Sequence, residues 1–349
     1  MTNFDDFKLA IEALSGSKNT VLLDDLGMPS VMVAFPKLKN SDIISGGSDV
    51  THPAFIVDGV EKDKIYISKY QNIVINSRAY SLPGRDPQVS INFDTAVADC
   101  RNKGKGWSLM PYSAWAAVAL WSRKNGTMPR GNNNYGQDIS YPLEKGVATS
   151  YDNDKVGRTA TGSGPATWCH NWLPDGIADL NGNIWEWCAG MRLNAGEINI
   201  VENANVFNSS VSLAASSDAW KAVNASGEIV AQGTDGSLKY DYLSSKITLI
   251  NGTVTDTSGT GRGTEYKSLG LADGLTAPEL AKALILYPDE PNGDYSGDYR
   301  WATLAGEHVP FCGGRWFNGA SAGVFSVRLN NPRSDSGGDI GFRSAYCEL

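Results

Sequence analysis

The chain has 349 residues, 41% of them hydrophobic and 19% charged, a balance that allows a sizeable buried core. Its 38 glycines and 10 tryptophans favour a loop-rich architecture with large aromatic anchors over a helical bundle. The net charge is −8 and no dense Lys/Arg run occurs, which argues against nucleic acid as a partner.

The N-terminus carries acids where a signal peptide would be basic, and no long apolar stretch follows, so no export signal is expected. The longest apolar run, residues 114–121, is too short to span a bilayer. Apolar residues at Phe4, Phe7, Leu9, Ile11 and Leu14 predict a short amphipathic helix capped by Thr2 or Asn3. Val21 to Leu23 and Val31 to Phe35 read as strands around an LGMPS turn. Residues 1–50 are thus expected to form a small separate element. Strand-like stretches follow at 54–59 and 64–75, then helices at 93–102 and 113–124. Ser113 would cap the second helix, and Arg123 and Lys124 suit its C-terminal end. Residues 125–180, rich in Gly, Asn, Asp and Thr, should be ordered loop. Asn183 to Cys188 is a compact aromatic strand candidate, and 192–300 holds scattered strand signals and a helix-like run at 277–286. No repeat of 20 to 50 residues is visible.

Five cysteines, Cys100, Cys169, Cys188, Cys312 and Cys347, are odd in number and form no CxxC pair. They read as reduced, mostly buried thiols of a protein folded in cytoplasm; a disulfide including Cys347 stays open.

Several phrases occur in order: IYISKY (65–70), FDTAVADC (93–100), SLMPYSAWAAVAL (108–120), MPRGNNNYG (128–136), DGIADLNGNIWEWC (175–188), GGRW (313–316) and GFRSA (341–345). Together they resemble the formylglycine-generating-enzyme and sulfatase-modifying-factor family, a branch of the C-type lectin fold. The resemblance covers roughly residues 60–190 and 300–349. It implies an α+β, C-type-lectin-like domain over 51–349, with an insertion at about 192–300.

In NGNIWEW, Trp185 and Trp187 alternate with Ile184, Glu186 and Cys188. On a strand the two sets face opposite sides, so both rings can enter a core while Glu186 points elsewhere. Glu186 either satisfies backbone amides or binds calcium. The family carries a calcium site on this phrase. The implied ligands here are the carboxylates of Asp179 and Glu186 and the carbonyls of Gly182 and Ile184, hard oxygens suited to a structural Ca²⁺.

The same alignment argues against catalysis. Formylglycine formation needs a cysteine pair shortly after the double glycine. Those positions fall at about Asn318 and Gly323, and neither is a thiol. A related branch uses three histidines for iron. The three here, His52, His170 and His308, form no ligand motif, and no P-loop, GxSxG or HExxH occurs.

Residues 313–346 resemble the variable region of phage proteins diversified by retroelements, which use this same lectin branch. In that family, randomised asparagine codons cannot produce Lys, Gln, Glu, Met or Trp. Lys, Gln, Glu and Met number 39 of 349 residues, so about four are due in this 34-residue stretch, and none is present. Trp316, Gly319, Ala322, Gly323, Val324, Val327, Leu329, Ile340 and Phe342 read as scaffold. Arg315, Phe317, Asn318, Ser321, Ser326, Arg328, Asn330, Asp335, Gly337, Gly338 and Asp339 read as the displayed, ligand-binding set. Ser326 and Arg328 are expected on one side of a strand, and Arg315 and Phe317 on one side of Trp316. The resemblance implies a protein or glycan receptor on a cell surface as partner, a place on a phage tail after cytoplasmic synthesis, and a trimer as a suitable assembly. A formylglycine-generating-type oxidase and a fixed-sequence phage structural protein of the same fold are the alternatives.

Overall fold

The computed structural model describes residues 3–349 and has a mixed helix-and-sheet architecture with long ordered loops. One helix organises the interior. Tyr112–Lys124 is buried at every position from Tyr112 to Leu120, and its run of alanines lets neighbouring elements approach on all sides. A helix apolar all round belongs in a core. Its N-cap is Pro111, not Ser113, whose hydroxyl instead donates to the Asn203 carbonyl at 3.3 Å. The helix Phe93–Arg101 is capped by Asn92, whose side chain accepts from the Thr95 amide at 2.9 Å.

A five-stranded sheet runs in the order Asn19–Leu23, Pro29–Pro36, Lys64–Ser68, Ser344–Tyr346, Trp107–Leu109. The N-terminal hairpin is therefore the edge of this sheet and not a separate element. Pro29–Pro36 pairs antiparallel with Lys64–Ser68 over five residue pairs, and burial of Val31, Val33 and Phe35 commits the hairpin to the main core. The helix Asn3–Ser15 lies outside it with no fully buried residue; Thr2, the alternative cap, falls outside the described residues.

A six-stranded sheet carries the candidate site, in the order Arg262–Glu265, Tyr299–Ala302, Gly323–Leu329, Phe311–Gly313, Trp185–Trp187, Ile340–Phe342. An eight-stranded sheet draws seven of its strands from 191–271 and the eighth from Glu307–His308. Its Ile198, Tyr240, Ile247 and Leu249 join the same apolar cluster as Trp115 and Leu120, so this region packs on the common core. The insertion is not uniform, because Arg262–Glu265 and Tyr299–Ala302 belong to the six-stranded sheet. The expected helix at 277–286 shortens to Glu279–Ala283. Among the described residues no helix is long and apolar enough to cross a membrane.

Candidate binding face and its buried support

Trp185–Trp187 sits second from one edge of the six-stranded sheet. It pairs antiparallel with Phe311–Gly313 and parallel with Ile340–Phe342. Strand alternation sends both tryptophan rings to one side. There Trp187 meets Phe311 at 4.0 Å and Phe93 edge-on at 5.7 Å, and its indole N–H donates to the Ile91 carbonyl at 2.9 Å. Trp185 meets Trp301 edge-on at 5.6 Å.

Glu186 points to the other side and finds a cation already in place. Its two oxygens accept from Nε and Nη2 of Arg343, both at 2.6 Å. Gln71 donates to Oε1 at 3.0 Å. The same guanidinium donates to the carbonyls of Ser68 at 3.1 Å and Ala178 at 3.0 Å. Both ionic side chains are 1% exposed or less, and charged groups buried this deeply persist when paired and hydrogen-bonded. Asp179 accepts from the Gly162 amide at 2.7 Å, and Gln71 reaches the Asp179 and Ile184 carbonyls at 3.2 and 3.5 Å.

This arrangement does not fit the calcium ion implied by the family phrase. The Glu186 carboxylate is already engaged by the Arg343 guanidinium on both oxygens and by the Gln71 amide. The reason lies outside the phrase: Arg343, from the distant GFRSA stretch, supplies the positive charge.

Burial pushes the Asp179 carboxyl up to about 6, against the Gly162 amide and the Arg343 charge, which favour its ionised form. Its folded-state value thus exceeds that of an unfolded chain, near 3.9. Stability is undiminished below the unfolded value and falls as pH rises through the folded one. Asp179→Asn keeps the shape and the acceptor for Gly162. It should raise stability by up to about 3 kcal/mol above pH 6 and leave it unchanged below about pH 4. Urea denaturation across that range checks this; an Asn variant no more stable at pH 7.5 than the parent overturns it.

The histidines are each separately engaged. The buried His52 ring contacts the Ala283 carbonyl at 2.9 Å, His170 accepts from the Ile177 amide at 2.8 Å, and His308 contacts the Ala305 carbonyl at 2.8 Å. Burial lowers His52 to about 4 and His170 to about 3. Cys312 and Cys188, far apart in sequence, are free thiols buried in the same apolar cluster. Burial pushes the Cys188 thiol well up.

The C-terminal segment folds as a loop, a strand and a second loop over this support. Trp316 is 9% exposed, and Val327, Leu329, Ile340 and Phe342 are buried. Gly323 has φ +151°, and a Cβ there would run into the Asp298 carboxylate, so only glycine fits. Of the set read as displayed, Phe317 and Gly338 are exposed; Arg315, Asn318, Ser321, Arg328, Asn330, Asp335, Gly337 and Asp339 are half-buried. Ser326, expected among the displayed residues, is instead fully buried. The 314–322 loop doubles back over its end of the strand. The Ser326 hydroxyl donates to the Ser321 carbonyl at 2.6 Å and accepts from the Tyr299 amide at 3.1 Å. Strand alternation places Ser326 on the side of Arg328 but cannot foresee what covers it.

Local contacts order the displayed groups. Arg315 pairs with Asp339 and lies 3.8 Å above the Phe317 ring. Arg328 donates to Asn330 at 2.6 Å, and among the described residues it has no acidic side chain within ion-pair distance.

The 131–156 loop completes the face. Phe317 stacks on Tyr135 with ring centres 6.1 Å apart, the Tyr135 amide donates to the Trp316 carbonyl at 2.6 Å, and the Trp316 indole donates to Asp152 at 3.3 Å. Further along the same loop, Leu143, Tyr151 and Val147 are 95%, 70% and 64% exposed, and Tyr141 and Ile139 are also exposed. One connection thus exposes five large apolar side chains. By composition this stretch reads only as loop. The available signal was its apolar residues, spaced two to four apart among turn formers.

In structure the chain is similar to Treponema denticola variable protein 1, with TM-score 0.35 and 12% identity over 94% of this chain and 98% of that one. It is also similar to the Major Tropism Determinant M1 variant (TM-score 0.34, 11% identity) and U1 variant (TM-score 0.32, 11% identity). Each covers 94% of this chain and 71% of that one. No family model and no curated protein matches the sequence.

Proposed function

We propose that the chain is a ligand-binding protein whose C-terminal face is diversified by a retroelement, on a C-type-lectin-like scaffold of the formylglycine-generating-enzyme type and without catalysis of its own. The observation that carries this reading is the division of residues 313–346 into two sets. Trp316, Val327, Leu329, Ile340 and Phe342 are buried, while ten of the eleven positions read as displayed are exposed or half-buried. Adaptable side chains on a fixed apolar layer are what a varying binding site requires. A cell-surface receptor is the partner that fits. Phe317 and the exposed residues of 139–151 offer apolar anchors, and Arg328 offers a cation without an acid of its own. Presentation of several copies on a phage tail, as trimers or otherwise, would add avidity.

Deep sequencing of the 3′ end of this gene in its natural population tests the reading. Substitutions should cluster at codons for displayed positions between Gly313 and Tyr346, Ser326 excepted, with the rest of the gene constant. A uniform 3′ end removes the proposal and leaves a fixed-surface structural protein of the same fold.

A further inference from the structure

A cavity of about 660 Å³ opens beside the C-terminal face. One wall is the end of the central helix, with Arg123 and Lys124. Another comes from Arg130, Asn133 and Tyr141, with Trp172 alongside. A third is Glu290, Asp294 and Ser296, and the Ala320 and Ala322 methyls form the edge. The volume lies in the range of small-molecule sites.

We propose that this cavity binds a neutral saccharide unit. The first argument is charge. The lining holds three cations, Arg123, Lys124 and Arg130, and three carboxylates, Asp138, Glu290 and Asp294. The strongest cations are already neutralised: Arg123 pairs with Asp289 at 3.1 Å and Glu290 at 2.5 Å, and Arg130 pairs with Glu144. An anion would meet the carboxylates and a cation the guanidiniums, so an uncharged polar ligand is the best match.

The second argument is the pair of rings. Tyr141 is 46% exposed, and Arg130 packs on its ring at 3.3 Å from the centroid, with Trp172 5.1 Å from the same guanidinium. Trp172 stands in a left-handed conformation, φ +55°, uncommon for a bulky residue and a strain that the surroundings must hold. Its indole N–H is tied to the Met128 carbonyl at 3.0 Å, which fixes the ring against the cavity. Arg130 covers one face of Tyr141, and the exposed remainder of that ring is what the C–H face of a pyranose would meet. The third argument is hydrogen-bonding capacity. Among the described residues, the Lys124 ammonium and the Ser140 and Ser296 hydroxyls make no side-chain hydrogen bond, leaving donors and acceptors for a polyhydroxylated ligand. None of these residues belongs to the displayed set, so the proposal stands apart from diversification of the C-terminal segment.

The test uses the full chain and the methyl glycosides of glucose, galactose, mannose and N-acetylglucosamine, each alone, by saturation-transfer NMR and calorimetry. At least one should bind with Kd on the order of 1 mM. Tyr141→Ala should weaken it at least about tenfold, as expected for loss of a stacking ring, with thermal unfolding unchanged because the ring is exposed. Trp172→Phe, which retains a ring but loses the Met128 bond, should weaken it less. No saturation transfer from any glycoside at about 20 mM overturns the proposal. So does binding that Tyr141→Ala leaves intact, or binding that inorganic sulfate competes away.

Discussion

Arg343→Met is expected to destabilise the protein by about 3–5 kcal/mol, the cost of leaving a buried carboxylate without its cation. Glu186 is buried, and among the described residues Arg343 is its sole ion-pair partner. Gln71, the other side-chain donor on that carboxylate, cannot neutralise it. The guanidinium also holds the Ser68 and Ala178 carbonyls, so the substitution strands acceptors on two elements. It therefore loosens the junction between the five-stranded sheet, through Ser68, and the six-stranded sheet, through Glu186. Glu186→Gln with Arg343→Met should recover part of the loss, because the double variant buries no unpaired charge. A denaturant double-mutant cycle reads the coupling directly. An Arg343→Met cost below about 1 kcal/mol would show that the pair does not hold the sheets together.

This pair also shows where sequence reading stops. The alternation of NGNIWEW is local, and it correctly separates the two indole rings from Glu186, because a strand fixes which side each residue takes. What Glu186 meets on its side is decided by residue 343, brought in when Ile340–Phe342 pairs parallel to Trp185–Trp187. No local pattern encodes that juxtaposition, and the resemblance supplied calcium in its place. The same limit explains Ser326, placed by alternation but covered by a loop, and Cys312, far from Cys188 in sequence yet buried in the same apolar cluster. The N-terminal hairpin was legible as two strands. Its membership of the main sheet was not, because edge pairing with Lys64–Ser68 leaves no mark beyond the burial of Val31, Val33 and Phe35. Conversely, the extents of helices 93–101 and 112–124 were readable almost to the residue, since their apolar spacing is local, although the Ser113 cap was not.

Substitution tolerance along 313–346 should alternate with the geometry of the face, and this can be measured without knowing the ligand. Phe317 is 38% exposed with one ring face on Tyr135, so most replacements should change stability by no more than about 0.5–1 kcal/mol. Its neighbour Trp316 is 9% exposed beneath it, and Trp316→Ala should cost about 3 kcal/mol. Gly338 has open space where a Cβ would stand, whereas the same atom on Gly323 would strike the Asp298 carboxylate at a φ that side chains rarely adopt. Gly338 should thus accept nearly any residue and Gly323 none. Arg328 and Asn330 should vary freely, while Ser326, two residues away on the same side, should be restricted by its bonds to Ser321 and Tyr299. A saturation library of this segment, displayed on cells and sorted by resistance to protease, gives the tolerance of each position in one experiment. If Ser326 and Gly323 prove as permissive as Phe317 and Gly338, then the buried layer is not what fixes the face. If Phe317, Arg328 and Asn330 prove as restricted as Trp316, the segment cannot vary without unfolding, and diversification of this surface is physically closed to the protein.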